Sequence, residues 1–244
     1  MDKYHLMMVC VILILLFIIY RFWEHYMVDI KYECKIITPA QFKRGNLFKT
    51  GDLVLFKSLK SHHKMFTNSY FSHVGIVIMI DDIPNVLELS TANNGTSKLF
   101  ELEDRIKFYT EGNLCIKPIN RPLDSKRLAL LPEIINWAKN VHHTRNYFNN
   151  FATAMEYCTS NSLDSLAWPP PFDCANFIAY ILIKLHLFNK EDMKLFRDKH
   201  HGYFLFSKSN LLNYLEEVTD LLDGYRYGPV YNVCAHIDNL LEEK

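Results

Sequence analysis

Cys174 is the residue of this chain best suited to nucleophilic chemistry. It follows three prolines, Pro169 to Pro171, and begins an apolar segment of helix length. Because proline cannot continue a helix, the sequence predicts that Cys174 starts a buried helix over 174–187. In the first turn of a helix, the unpaired backbone N–H groups and the positive end of the dipole favour a thiolate. Cys174 is therefore a candidate nucleophile for amide or ester cleavage, provided that a base lies near it.

Among the eleven histidines, His73 is the candidate base. It precedes an unbroken apolar run, which predicts a buried central strand over 72–80. A lone histidine at a strand entry is usually structural, so its role depends on its partners. The acidic candidate is Glu88, flanked by Leu87 and Leu89 in a strand predicted over 86–91.

The hairpin between these two strands decides whether Glu88 can reach His73. With a loop over residues 82–85, Glu88 lies opposite Ile78. That position is roughly 16 Å along the strand from His73, at about 3.3 Å per residue. Contact between the two side chains would need a bulge, a strong twist or a different register.

The elements that must position these residues divide into two halves. Patterns of period two come first, and patterns of period 3.6 follow. Strands are predicted over 53–56, 72–80, 86–91, 97–102 and 113–118, and helices over 126–141, 147–157, 174–187, 190–200 and 207–223. A strand-rich half followed by a helix-rich half predicts an α+β fold, in which a small antiparallel sheet packs against helices.

Composition narrows the class of partner. The 244 residues carry 27 Lys and Arg against 27 Asp and Glu, whereas phosphate binding favours a basic excess. We therefore expect no nucleic-acid partner. The six cysteines have neither disulfide-framework nor zinc-ribbon spacing, and we expect no metal and no cofactor.

The N-terminus is uncharged from Leu6 to Tyr20. With its apolar flanks, this segment approaches the ~20 residues that cross a bilayer. A signal peptide is the alternative, but bulky residues follow the segment, with no small-residue cleavage site. Tyr20, Trp23 and Tyr26 instead resemble an interfacial aromatic belt, which favours an uncleaved transmembrane helix.

Three parts follow from these patterns: a membrane anchor over 1–27, a tether over 28–44 and a catalytic domain over 45–244. The predicted location is a membrane crossed once. Basic residues on both sides of the apolar segment leave open which side carries the domain, and the oligomeric state is open as well.

Four segments, taken in order, resemble the circularly permuted papain-like superfamily. They are Gly51–Phe56, Ser72–Val77, Val86–Leu89 and Phe172–Ile178. The chain is most similar to the permuted papain-like (NlpC-type) amidases of bacteria and poxviruses, and more distantly to the lecithin:retinol acyltransferase group. The resemblance covers about residues 45–230 and implies a permuted papain-like fold, in which the histidine strand precedes the cysteine helix.

The resemblance also implies roles for the site residues. Cys174 would be the nucleophile, His73 the general base and then acid, and Glu88 the polar residue that orients His73. The backbone N–H of Cys174 would be a donor to the oxyanion. Asp173 is a candidate N-cap for the helix.

Two functions are compatible with these site residues. The first is a membrane-anchored cysteine hydrolase or acyltransferase, peptidase-like or amidase-like, with a lipid or peptide substrate. The alternative is a catalytically inactive module that binds a lipid or a peptide. A His/Cys metal site has little support, because no ligand spacing of the usual kind is present.

Overall fold

The computed structural model describes residues 3–27, 34–37, 47–58, 71–90, 94–109, 112–142, 174–189 and 211–235. In chain order the elements are α1 (Lys3–Met27), β1 (Cys34–Ile37), β2 (Leu53–Ser58), β3 (His73–Ile80), β4 (Ile83–Ser90), β5 (Thr96–Glu101), α2 (Leu102–Phe108), β6 (Gly112–Lys117), α3 (Ser125–Leu128), α4 (Leu131–Ala138), α5 (Cys174–Lys184), α6 (Leu211–Glu217), a 3₁₀ helix (Leu222–Gly224) and β7 (Tyr231–Ala235).

The strands form one sheet in the order β1-β7-β6-β2-β3-β4-β5. Every neighbouring pair is antiparallel except β1 and β7, which run parallel. β2 and β3, rich in apolar and β-branched residues, lie at the centre of the sheet, where both faces are covered. The predicted α+β class is confirmed.

The two faces of the sheet carry different apolar clusters. Along β3, Val74 and Ile76 belong to the cluster that includes α5, whereas Val77 belongs to the cluster that includes Leu102 of α2. Successive side chains of a strand point to opposite faces. The odd-numbered residues of β3, His73 among them, therefore lie on the α2 side of the sheet.

The β3–β4 hairpin is tighter than the sequence pattern predicts. Its turn contains only Asp81 and Asp82, which have φ of 48° and 64°, as in the two-residue turns that match strand twist. Ile80 pairs with Ile83 in this register. The prediction of a loop over 82–85 was wrong, because two aspartates in left-handed conformation close the turn before Pro84.

The register change moves Glu88. It pairs with Gly75, not with Ile78. The predicted separation of Glu88 from His73 was therefore also wrong. Because Glu88 and Gly75 share a face with His73, the two polar side chains lie diagonally across neighbouring strands.

The helical half differs in detail from the prediction. The single helix predicted over 126–141 is divided into two helices, α3 and α4. The division occurs because Pro132, which lies in the first turn of α4, favours the start of a new helix. The cysteine helix is present as α5. The last predicted helix is shorter: α6 ends at Glu217, and residues 207–210 lie outside the described residues, as do the helices predicted over 147–157 and 190–200.

The N-terminal region contains one helix and one strand. Side chains of α1 from Tyr4 to Tyr20 are exposed. Within the described residues, no helix has the combination of length and apolarity needed to cross a membrane. β1 lies in the segment interpreted as a tether, and it pairs with β7 at the edge of the sheet.

Candidate active site

Cys174 is the first residue of α5. The buried side chains of that helix, including Phe177 and Ile178, pack on the sheet, and Trp137 of α4 stacks on Phe177 with ring centroids 5.7 Å apart. This packing fixes the helix while Cys174 stays partly exposed at its N-terminal end. The predicted N-cap Asp173 lies outside the described residues.

His73 lies at the entry of β3, and the structure brings it together with Cys174. The Cys174 side chain lies close enough to the His73 ring to act on it as a hydrogen-bond partner and as a negative charge, and both effects raise the pKa of His73. The Phe56 ring of β2 packs against the same imidazole, with centroids 4.7 Å apart. The side chain of His73 is 16% exposed, so the thiol–imidazole pair lies at the border between the core and solvent.

Glu88 is the third member of this group. Its Oε2 lies 3.2 Å from Nε2 of His73, and its side chain is 1% exposed. An ionised carboxylate only accepts hydrogen bonds, so Nε2–H of His73 donates to it. With Nε2 engaged, Nδ1 is the ring nitrogen that remains for the thiol of Cys174.

Gly75 allows β3 and β4 to approach closely at the level of Glu88. It lies on the same face of the sheet as His73 and Glu88, two residues after His73 on β3 and directly opposite Glu88 on β4. A Cβ at this position would lie 2.6 Å from Cγ2 of Val86 and 3.5 Å from Cβ of Glu88. A larger residue would therefore displace β4, which carries Glu88.

Arg105 of α2 is a site residue that the sequence patterns did not predict. Its Nη2 lies 3.1 Å from Oε1 of Glu88, and its Nε donates to Oε2 at 3.2 Å. The chain gave only an indirect signal: a buried carboxylate needs a cation. No helix was expected over Leu102–Phe108, so nothing placed Arg105 beside β4.

The charges of the site favour an ionised carboxylate and an imidazolium. Burial alone would raise the pKa of Glu88, but hydrogen bonds and charges from His73 and Arg105 outweigh it and hold this pKa below its ordinary value. Burial opposes the imidazolium as well. The hydrogen bonds and negative charges of Cys174 and Glu88 exceed that effect and raise the pKa of His73 to about 9.

The described residues contain no group of three or more His, Cys, Asp or Glu side chains that could hold a metal ion. What the arrangement can do is proton transfer. A thiol, an imidazole and a carboxylate are linked in sequence, and Arg105 completes the chain.

Comparison with known proteins assigns no family. No family model matches the chain, and no curated protein matches it. Among solved structures, the chain is similar to the metalloprotein yiiX of Escherichia coli O157:H7, a DUF1105 protein. The two share 14% identity with a TM-score of 0.43, over 74% of this chain and 96% of that chain.

Proposed function

We propose that this chain is a cysteine hydrolase or acyltransferase of the circularly permuted papain-like type, with Cys174 as nucleophile. The observation that carries the proposal is the linked set of Cys174, His73 and Glu88. Their order along the chain, with the histidine strand before the cysteine helix, agrees with the permuted arrangement. The α+β fold with a cysteine at a helix start supports the same assignment.

The proposed reaction starts from a thiolate on Cys174 and an imidazolium on His73. The thiolate sulfur of Cys174 attacks the carbonyl carbon of an amide or ester, and the carbonyl oxygen becomes an oxyanion. His73, as the imidazolium, then donates its proton to the leaving amine or alcohol as the C–N or C–O bond breaks. A thioester on Cys174 remains.

The second half restores the enzyme. Water, or the hydroxyl or amine of an acceptor, loses a proton to His73 and attacks the thioester carbon. The sulfur leaves as a thiolate beside the imidazolium. Glu88 keeps Nε2–H engaged throughout, so the ring presents one tautomer and one orientation to the sulfur.

The substrate class is a lipid or a peptide, and the proposed site of action is a membrane surface. The observation that supports a membrane surface as the site of action is the run of exposed apolar side chains along α1. It motivates substrate profiling with the full chain, in which esters and amides of fatty acids are compared with short peptides.

The test uses a fluorescent thiol-reactive acyl probe. Cys174→Ala should lose labelling and hydrolytic activity. Cys10→Ala is the matched control, because Cys10 is another free and exposed cysteine, and it should label as the wild type does. Labelling that persists in Cys174→Ala, or that moves to another cysteine, would overturn the assignment.

A second variant separates the enzyme from the inactive binding module. His73→Ala should slow acylation of the probe by about 10²–10⁴-fold, the usual contribution of a positioned base. A wild type that labels no faster than His73→Ala would favour the binding module instead.

A further inference from the structure

Glu88 is unusual in how its two oxygens are shared. Oε2 accepts from both His73 Nε2 and Arg105 Nε, each at 3.2 Å, and Oε1 lies 3.1 Å from Arg105 Nη2. The guanidinium therefore contacts both oxygens, in the two-point geometry that suits arginine and not lysine. A carboxylate gripped in this way cannot rotate away from the imidazole.

Arg105 is itself fixed by aromatic rings. Its Cζ lies 4.8 Å from the ring centroid of Phe56, 5.4 Å from that of Tyr109 and 5.8 Å from that of Phe100. Phe56 also packs on the His73 imidazole. One ring thus sets the positions of the base and of the cation behind Glu88, and the Arg105 side chain is only 20% exposed.

We propose that Arg105 is a positioning residue of the active site, which holds Glu88 ionised and oriented so that it can serve His73. The inference rests on the proposed function of Cys174 and His73. Arg105 touches neither the thiol nor the reacting bond in this role. It acts through Glu88.

Arg105 supports His73 by keeping Glu88 ionised. Without Arg105, the buried carboxylate would lose two charge-assisted hydrogen bonds and would take up a proton more readily. A protonated Glu88 no longer supports the imidazolium.

The charged groups that face Glu88 come from three elements. His73 belongs to β3, Arg105 to α2, and Lys98 of β5 lies directly opposite Glu88 in the strand register. Lys98 is exposed. Lys98→Met is therefore a matched control, because it removes a neighbouring positive charge but leaves the two-point grip intact.

The experiment measures the rate of Cys174 alkylation by iodoacetamide between pH 4 and 10, in the full chain, with Cys10→Ala as the background. This readout needs no substrate. In Arg105→Met, the pH at which the alkylation rate begins to rise should be higher by about one unit. At a given pH below that point, the rate should therefore be about tenfold lower than in the background protein. Arg105→Lys keeps the charge but not the fork and should recover part of the loss.

The outcomes separate this inference from the proposed function. If Arg105→Met and Arg105→Lys both follow the wild-type profile, or if Lys98→Met shifts it as much as Arg105→Met, Arg105 has no positioning role. If the background protein itself shows an alkylation profile that His73→Ala leaves unchanged, the proposed function fails instead. Thermal unfolding of each variant identifies loss of fold, and Arg105→Lys carries the test if Arg105→Met does not fold.

Discussion

Two opposing effects act on the pKa of His73: neighbouring groups favour its charged form, and burial opposes it. Cys174 contributes most to the favourable side, through its hydrogen bond and its charge, and Glu88 contributes next. The result is a pKa of about 9, against an ordinary value of 6.5. At neutral pH the ring therefore carries the proton that a leaving group would need.

We predict that the His73 imidazole titrates at about 9 in the wild type, as measured from its ring resonances by NMR. In Glu88→Gln the midpoint should fall toward 6.5, because a neutral amide no longer favours the imidazolium. In Cys174→Ala it should fall further, since the larger of the two favourable contributions is lost.

His73→Gln assigns the resonance in these spectra, because the signal of this ring disappears. A His73 midpoint that is unchanged in Cys174→Ala would contradict the thiol–imidazole contact.

At the scale of elements, the β3–β4 hairpin places the site. Slipping the register by one residue would turn Glu88 to the α5 face, because side chains alternate along a strand. The two-residue turn at Asp81 and Asp82 fixes the register at one end. Gly75 fixes the spacing of the strands at the level of Glu88.

Gly75→Ala should lower the free energy of unfolding by about 1–3 kcal/mol, the usual cost of overpacking. The added methyl would lie 2.6 Å from Cγ2 of Val86. Val86→Ala removes that atom, so the double variant should be more stable than the sum of the two single effects predicts, by about 1 kcal/mol. Urea unfolding measures all three variants.

Gly228→Ala provides the matched control for this coupling. A Cβ at Gly228 would lie against Pro118, not against Val86. Its effect should therefore add to that of Val86→Ala within about 0.5 kcal/mol. Equal coupling in the two pairs would mean that Gly75 does not set the approach of β4.

The sequence alone supports the helix at Cys174 and the strand at His73, because an apolar run after a proline break and a β-branched run are local signals. It could not supply the register of β4. Two aspartates at positive φ are rare, so composition pointed to a longer loop that included Pro84. The role of Arg105 could not be predicted from the sequence for another reason, because it depends on the packing of α2 beside β4.

At the scale of the whole molecule, Arg127 connects three distant segments. Its Nε donates to the carbonyl of Leu185 and its Nη2 to that of His186, each at 3.0 Å. It also pairs with Asp124 and Asp223. The carbonyls follow the C-terminal end of α5, so Arg127 fixes the end of the helix opposite to Cys174.

Arg127→Met should destabilise the fold by about 1–3 kcal/mol, because the carbonyl of the buried Leu185 loses this donor, whereas the carboxylates of Asp124 and Asp223 are exposed to solvent. Arg226→Met is the control. Arg226 pairs with Asp220 at 3.3 Å, but both side chains are more than 70% exposed, and its loss should cost at most about 0.5 kcal/mol. Thermal unfolding compares the two, and equal losses would contradict the role of Arg127.

The parallel pairing of β1 and β7 has a mechanical consequence. Cys34 pairs with Asn232 and Ile37 with Ala235, so a pull on the chain between residues 34 and 235 draws the two strands past one another along their length. The hydrogen bonds between them then bear the load together, and do not open one after another. Tension applied across this chain therefore meets its first resistance in shear, at the sheet edge opposite to β5, while the strands that carry His73 and Glu88 stay unloaded.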